Sequence, residues 1–140
     1  MSEPVRHGRL GDLPQIAGSE PGDPAGWTPV RHLLGVEAFG VNAWHADAGE
    51  TVIEDHDEVS SDASSAHQEL YLVVAGQATF TVDGEEVDGP AGTVLVVASG
   101  SRRGAVASAD GTTVLTVGAP IGHAFALSDW EQRAIAEAGL

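Results

Sequence analysis

The chain has 140 residues, the size of one domain, with 42% hydrophobic residues, 18 Gly and no Cys. That composition excludes a wholly disordered chain, a disulfide scaffold and thiol chemistry, and no run approaches the ~20 apolar residues of a membrane-spanning helix. Six basic residues, all arginine, face 21 acidic ones for a net charge of −15, which disfavours nucleic acid and anionic membrane surfaces as partners.

In chain order, the start MSEPVRHGRL lacks the apolar centre of a secretory signal, so a soluble, cytoplasmic protein is expected. Residues 1–26, rich in Gly, Pro and acid, read as an extended arm. Short apolar runs separated by Gly and Asp then predict strands at Val36–Ala46, Thr51–Glu54, Glu69–Val74, Ala78–Val82, Thr93–Ala98 and Thr112–Val117. Asp83-Gly84, between TFTV and EEV, predicts a tight hairpin, because both residues tolerate positive φ. Ser128 and Glu131 have the spacing of a capping box, so a helix is expected to about Ala138, stopped by Gly139 and anchored by Trp130 and Ile135. The reading is all-β: an antiparallel sandwich or barrel over 27–127, with a short helix over 128–140.

Histidine is the informative residue type. His7, His32 and His123 lie in surroundings that suggest no task, and His45 ends a predicted strand. His56 lies in the acidic stretch Glu54-Asp55-His56-Asp57-Glu58, and His67 stands two residues before Glu69. Alternation along a strand puts His67, Glu69, Tyr71 and Val73 on one face. An imidazole and a carboxylate side by side can grip a divalent ion, and one more His from a neighbouring strand would complete a facial triad with open positions. His67 and Glu69 are therefore candidate metal ligands, with the further His left open. Tyr71 shares their face and is a candidate hydrogen-bond donor inside the barrel; filling the core is its other reading. The acids Asp55, Asp57, Glu58 and Asp62 read as a solvated loop that could also supply an outer partner to a ligand His.

These surroundings resemble a cupin. The first cupin motif runs Gly, five residues, His-x-His, three or four residues, Glu, six residues, Gly; here Glu69 is followed by six residues and Gly76. Six residues rather than five lie between Gly49 and His56, and fifteen separate Gly76 from Gly92, the short spacing of small microbial cupins. The resemblance covers roughly Phe39 to Pro120 and implies a jelly-roll β-barrel. Three departures stand out: Glu58 replaces the second His of His-x-His, VSSDASSA lengthens the segment before His67, and Arg103 stands where the second motif supplies its metal-binding His. Ala98 and Ala107 also replace that motif's Pro and Asn.

A guanidinium cannot ligate a cation, so what the resemblance leaves as expected metal ligands is His56, His67 and Glu69. At a barrel mouth Arg103 could instead hold a carboxylate or enolate by paired hydrogen bonds, or form a solvated turn with surface acids. The functional expectation is a cupin binding one divalent transition metal (Fe, Mn, Ni, Cu or Zn) and acting on or binding a small acidic or oxygenated metabolite, as an oxygenase, isomerase or lyase. Its alternative is a non-catalytic ligand-binding or sensor cupin with a degenerate metal site. The resemblance, with the symmetry preference of soluble proteins, suggests a homodimer.

Overall fold

Thr112–Pro120 shows most plainly why this sequence makes sheet. Its burial alternates strictly along TTVLTVGAP, with β-branched residues at five of the nine positions. In the computed structural model, which describes residues 3–59 and 66–140, this strand is central in a sheet of six. The strands are β1 (Ile16–Ala17), β2 (Gly26–Thr28), β3 (Gly40–Ala46), β4 (Thr51–His56), β5 (His67–Ala75), β6 (Gln77–Val82), β7 (Glu85–Pro90), β8 (Val94–Val97), β9 (Arg103–Ala107) and β10 (Thr112–Pro120). The larger sheet runs β1-β2-β3-β10-β5-β8 and the smaller β4-β9-β6-β7, with every pairing antiparallel. No hydrogen-bonded pairing joins the two sheets among the described residues, so the jelly roll is a sandwich rather than a closed barrel.

The core lies between the sheets. Tyr71 and Val73 from β5 and Val114 from β10 meet Val52, Phe80 and Ala105 from the smaller sheet, all but shut off from solvent. A second cluster, Val30, Val41 and Ala43 with Leu10, Leu34 and Leu115, covers part of the larger sheet's other face. Val30 and Leu34 belong to a short helix, α1 (Val30–Leu34), that ends at Gly35 in the left-handed region. Arg6 donates to the carbonyls of Leu34 and Gly35, tying the N-terminal segment to this turn. That segment also joins the sheet, because Ile16 lies opposite Trp27.

Asp83 and Gly84 both have positive φ and link Val82 to Glu85, the expected two-residue hairpin. The C-terminal helix α2 (Asp129–Glu137) begins after Ser128, which is extended but makes no side-chain cap bond. Glu131 is used elsewhere: its carboxylate accepts from Arg31 Nε at 2.7 Å and from Asn42 Nδ2 at 2.9 Å. Ile135 is buried, whereas Trp130 is 48% exposed while resting against Trp27 and Trp44 at ring distances of 5.4 and 6.5 Å. No helix among the described residues is long and apolar enough to cross a membrane.

Candidate metal and ligand site

One end of the sandwich gathers charge. Glu69, Tyr71 and Val73 alternate with Gln68, Leu70 and Leu72 along β5, so the first set turns toward the smaller sheet. From that sheet Arg103, the first residue of β9, lies in register with His56, the last residue of β4. The β4–β9 ladder slips between Ile53 and His56, where three steps on β4 match two on β9. Such a bulge re-aims the side chains beyond it, and here it delivers the His56 ring to Glu69.

Arg103 is wholly enclosed. Its Nη1 donates to Glu69 Oε1 at 2.7 Å and lies 3.4 Å from the Tyr71 hydroxyl. Its Nη2 donates to the Ala98 carbonyl at 2.6 Å and its Nε to the Ser101 carbonyl at 3.0 Å. The guanidinium thus lies inside the sandwich with its donors spent on the protein, rather than at the mouth facing a ligand. Arg102, its neighbour, turns outward to Asp55 at 3.1 Å. Tyr71 donates to Glu69 Oε1 at 2.6 Å and stacks edge-on against Phe80, so it fills the core and holds the acid at once.

His56 donates from Nδ1 to the Glu54 carbonyl at 2.6 Å, which aims Nε2 at Glu58 Oε1, 3.0 Å away, and Glu69 Oε1, 3.7 Å away. Glu58 is itself pinned, its N–H donating to the Ser99 carbonyl at 2.9 Å. Burial alone would lower the His56 pKa, but the bonds to Glu58, Glu69 and the Glu54 carbonyl prevail and hold it near 10. Burial would likewise raise Glu69; the bonds from His56 and Tyr71 and the charges of His56 and Arg103 outweigh it and keep the carboxyl below its usual range.

The ligand atoms of His56, Glu58 and Glu69 lie within 4.8 Å of one another. Metal–nitrogen and metal–oxygen bonds are about 2.0–2.2 Å, which puts neighbouring donors ~3 Å apart, so a small contraction would close these three around one ion. Anchoring of the far imidazole nitrogen on a backbone carbonyl is also what a ligating histidine needs. The residues present therefore fit a divalent cation, with one nitrogen and two carboxylate donors.

This set differs from the sequence expectation at one position, where Glu58 stands in for His67. His67 opens β5 opposite Pro120, and its ring lies 5.6 Å from that of Phe125. Two residues along a strand is roughly 6.6 Å, so a shared face with Glu69 does not by itself bring both to one ion. The signal for Glu58 was its position in His56-x-Glu58, where the cupin motif carries a second histidine. Asp62 lies outside the described residues. His45, on the opposite face of β3, bonds Thr28 and Thr113 and is lowered in pKa by burial.

A cavity of about 240 Å³ is lined by Ala66, Gln68, Ala98, Ser99 and Ile121; it holds none of the three donors, and Gln68 lies on the face of β5 opposite Glu69. A larger groove of about 400 Å³ runs by the β6–β7 hairpin and β8, and its lining includes none of the three donors.

No family model and no curated protein matches this sequence. Solved structures do. A cupin protein from Bacteroides fragilis superposes with a TM-score of 0.64 at 18% identity, over 91% of this chain and 93% of that one. A sugar phosphate isomerase from a cupin superfamily, of Silicibacter pomeroyi, gives 0.62 at 20% identity over 79% and 73% of the two chains. A predicted oxalate decarboxylase from Thermotoga maritima gives 0.60 at 17% identity over 81% and 97%. At such identities the likeness is one of architecture, and with the two-sheet topology above it shows that this chain is a single domain with the RmlC-like cupin fold.

Proposed function

We propose that the protein is a metal-binding cupin of the cytoplasm that holds one divalent transition-metal ion (Fe, Mn, Ni, Cu or Zn) through His56, Glu58 and Glu69. It uses this centre to bind or transform a small acidic or oxygenated metabolite. The observation that carries this reading is the convergence of three donors within 4.8 Å at the end of the sandwich. Neighbours in fold that are named a sugar phosphate isomerase and a predicted oxalate decarboxylase support isomerase or lyase chemistry within that range.

The ion would act as a Lewis acid on a carbonyl or enolate oxygen. The chain's own residues do the rest. Glu54 fixes the His56 tautomer through its carbonyl, and Tyr71 with Arg103 keeps Glu69 ionised and oriented. In the test, titration of metal-free protein with Mn²⁺ or Zn²⁺ should show one ion bound per chain, and that binding should be lost in His56→Ala and in Glu58→Gln. Bound metal that ignores both substitutions would overturn the assignment.

A second reading, a non-catalytic ligand-binding or sensor protein, is favoured by one observation: a protonated His56 and Arg103 already balance the carboxylates of Glu58 and Glu69. Under that reading, small carboxylates would raise the Tm of metal-free protein. The protein is further proposed to be a homodimer, so light scattering should return about twice 14.3 kDa.

A further inference from the structure

The strongest cation at the site belongs to the chain itself. Arg103 has no solvent exposure, is permanently charged, and is fixed by two backbone carbonyls so that Nη1 meets Glu69 Oε1 at 2.7 Å. The same oxygen receives the Tyr71 hydroxyl at 2.6 Å and is the Glu69 atom nearest His56. Any ion held between His56, Glu58 and Glu69 would therefore share its carboxylate with a guanidinium that cannot move away or lose its proton. Two cations a few ångströms apart in a partly dehydrated site repel strongly.

We propose that Arg103 is a built-in counter-ion with two consequences: it keeps the Glu69 carboxylate in place without any metal, and it makes a cation at this centre weakly held and exchangeable. Arg103 is thus a positioning residue acting through Glu69, not a group that touches substrate. The proposal rests on the three-donor centre described above, but it fails separately from it.

The experiment compares wild type, Arg103→Met and Arg103→Lys, with Mn²⁺ and Zn²⁺ affinities from calorimetry and Tm with and without each ion. Arg103→Met, which keeps bulk and loses charge, should have a lower Tm without metal, regain most of it on adding the ion, and bind the ion at least tenfold more tightly than wild type. Arg103→Lys retains the charge and should show no such gain. Adding His56→Ala to Arg103→Met should abolish the rescue. If Arg103→Met does not fold alone, refolding with and without Zn²⁺ becomes the readout, and recovery only with the ion supports the proposal.

Equal affinities in wild type and Arg103→Met, both dependent on His56, would overturn this inference and leave the metal-binding reading standing. Tight binding in Arg103→Met with none in wild type would support the inference and sink that reading. No binding in either protein would end both.

Discussion

Glu131→Ala removes a carboxylate that joins three elements. In the folded chain Glu131 Oε2 accepts from Arg31 Nε at 2.7 Å, linking α2 to α1, and Oε1 accepts from Asn42 Nδ2 at 2.9 Å, linking α2 to β3. Their surroundings are dry, with side-chain exposures of 11% for Arg31 and 6% for Glu131. Deleting one partner of a buried ion pair costs roughly 3–5 kcal/mol, because the other charge stays buried without compensation. The Asn42 amide also loses its acceptor, in a residue whose Oδ1 already lacks a partner, for about another 1 kcal/mol. Water reaching Arg31 from its exposed edge offsets part of this, so we expect a net loss of about 3–4 kcal/mol. At about 3–4 °C per kcal/mol for a chain of this size, Tm should fall by roughly 10 °C. Urea unfolding followed by tryptophan fluorescence is the assay, since Trp130 sits on α2 against Trp27 and Trp44. The double variant Arg31→Met, Glu131→Leu should recover most of the loss, as apolar replacement of a buried pair often does. A single-variant cost under about 1 kcal/mol, or a double variant no better than the single, would refute the argument.

Tyr71→Phe keeps the ring against Phe80 and removes only the hydroxyl on Glu69, so it should cost about 2 kcal/mol in urea unfolding, the value of a hydrogen bond to a charged group; a cost near zero would contradict that bond. Because the His56 pKa is raised from 6.5 to about 10, its contribution to metal-free stability should be fully present below pH 6.5 and disappear as pH rises through 10. The ring is a third exposed, so solvent screening limits that contribution to about 1–2 kcal/mol. The gap in urea midpoint between wild type and His56→Gln should narrow over this range, and a constant gap would disprove it. Gly76→Ala and Gly92→Ala should differ sharply although both glycines have positive φ. A Cβ at Gly76 would lie 2.7 Å from the Thr112 Cα, whereas one at Gly92 meets nothing within 4 Å. The first should cost about 3 kcal/mol or more and the second about 1 kcal/mol, compared by thermal melts.

Local chemistry made some of this structure legible beforehand. Asp83-Gly84 announced its hairpin because few residue pairs adopt two positive φ values in succession, and β10 announced itself by alternation. Arg103–Ala107 was not read as a strand, since Arg-Gly-Ala-Val-Ala carries little β preference and is held by ladders to β4 and β6. The capping-box spacing located the start of α2, yet Glu131 turned to Arg31, a partner a hundred residues away that no local pattern reveals. At the site, His56 and Glu69 do meet. The choice of Glu58 over His67 as their nearest third donor depended on a bulge in β4 and on how far His67 sits along β5, both matters of register. Arg103 was recognised as anomalous from its place in the motif, but its direction, inward to Glu69, follows from a fold that only coordinates display.

With no lysine in the chain, the way its arginines are tied shapes the electric field around the molecule. Arg6 is committed to backbone carbonyls, Arg31 to Glu131, Arg102 to Asp55 and Arg103 to Glu69. Four of the six arginines are thus paired within the chain, and with 21 acidic residues an approaching solute meets a negative potential extending about a Debye length into solution, ~8–10 Å at moderate ionic strength. Divalent ions are drawn inward by it and free organic anions are slowed.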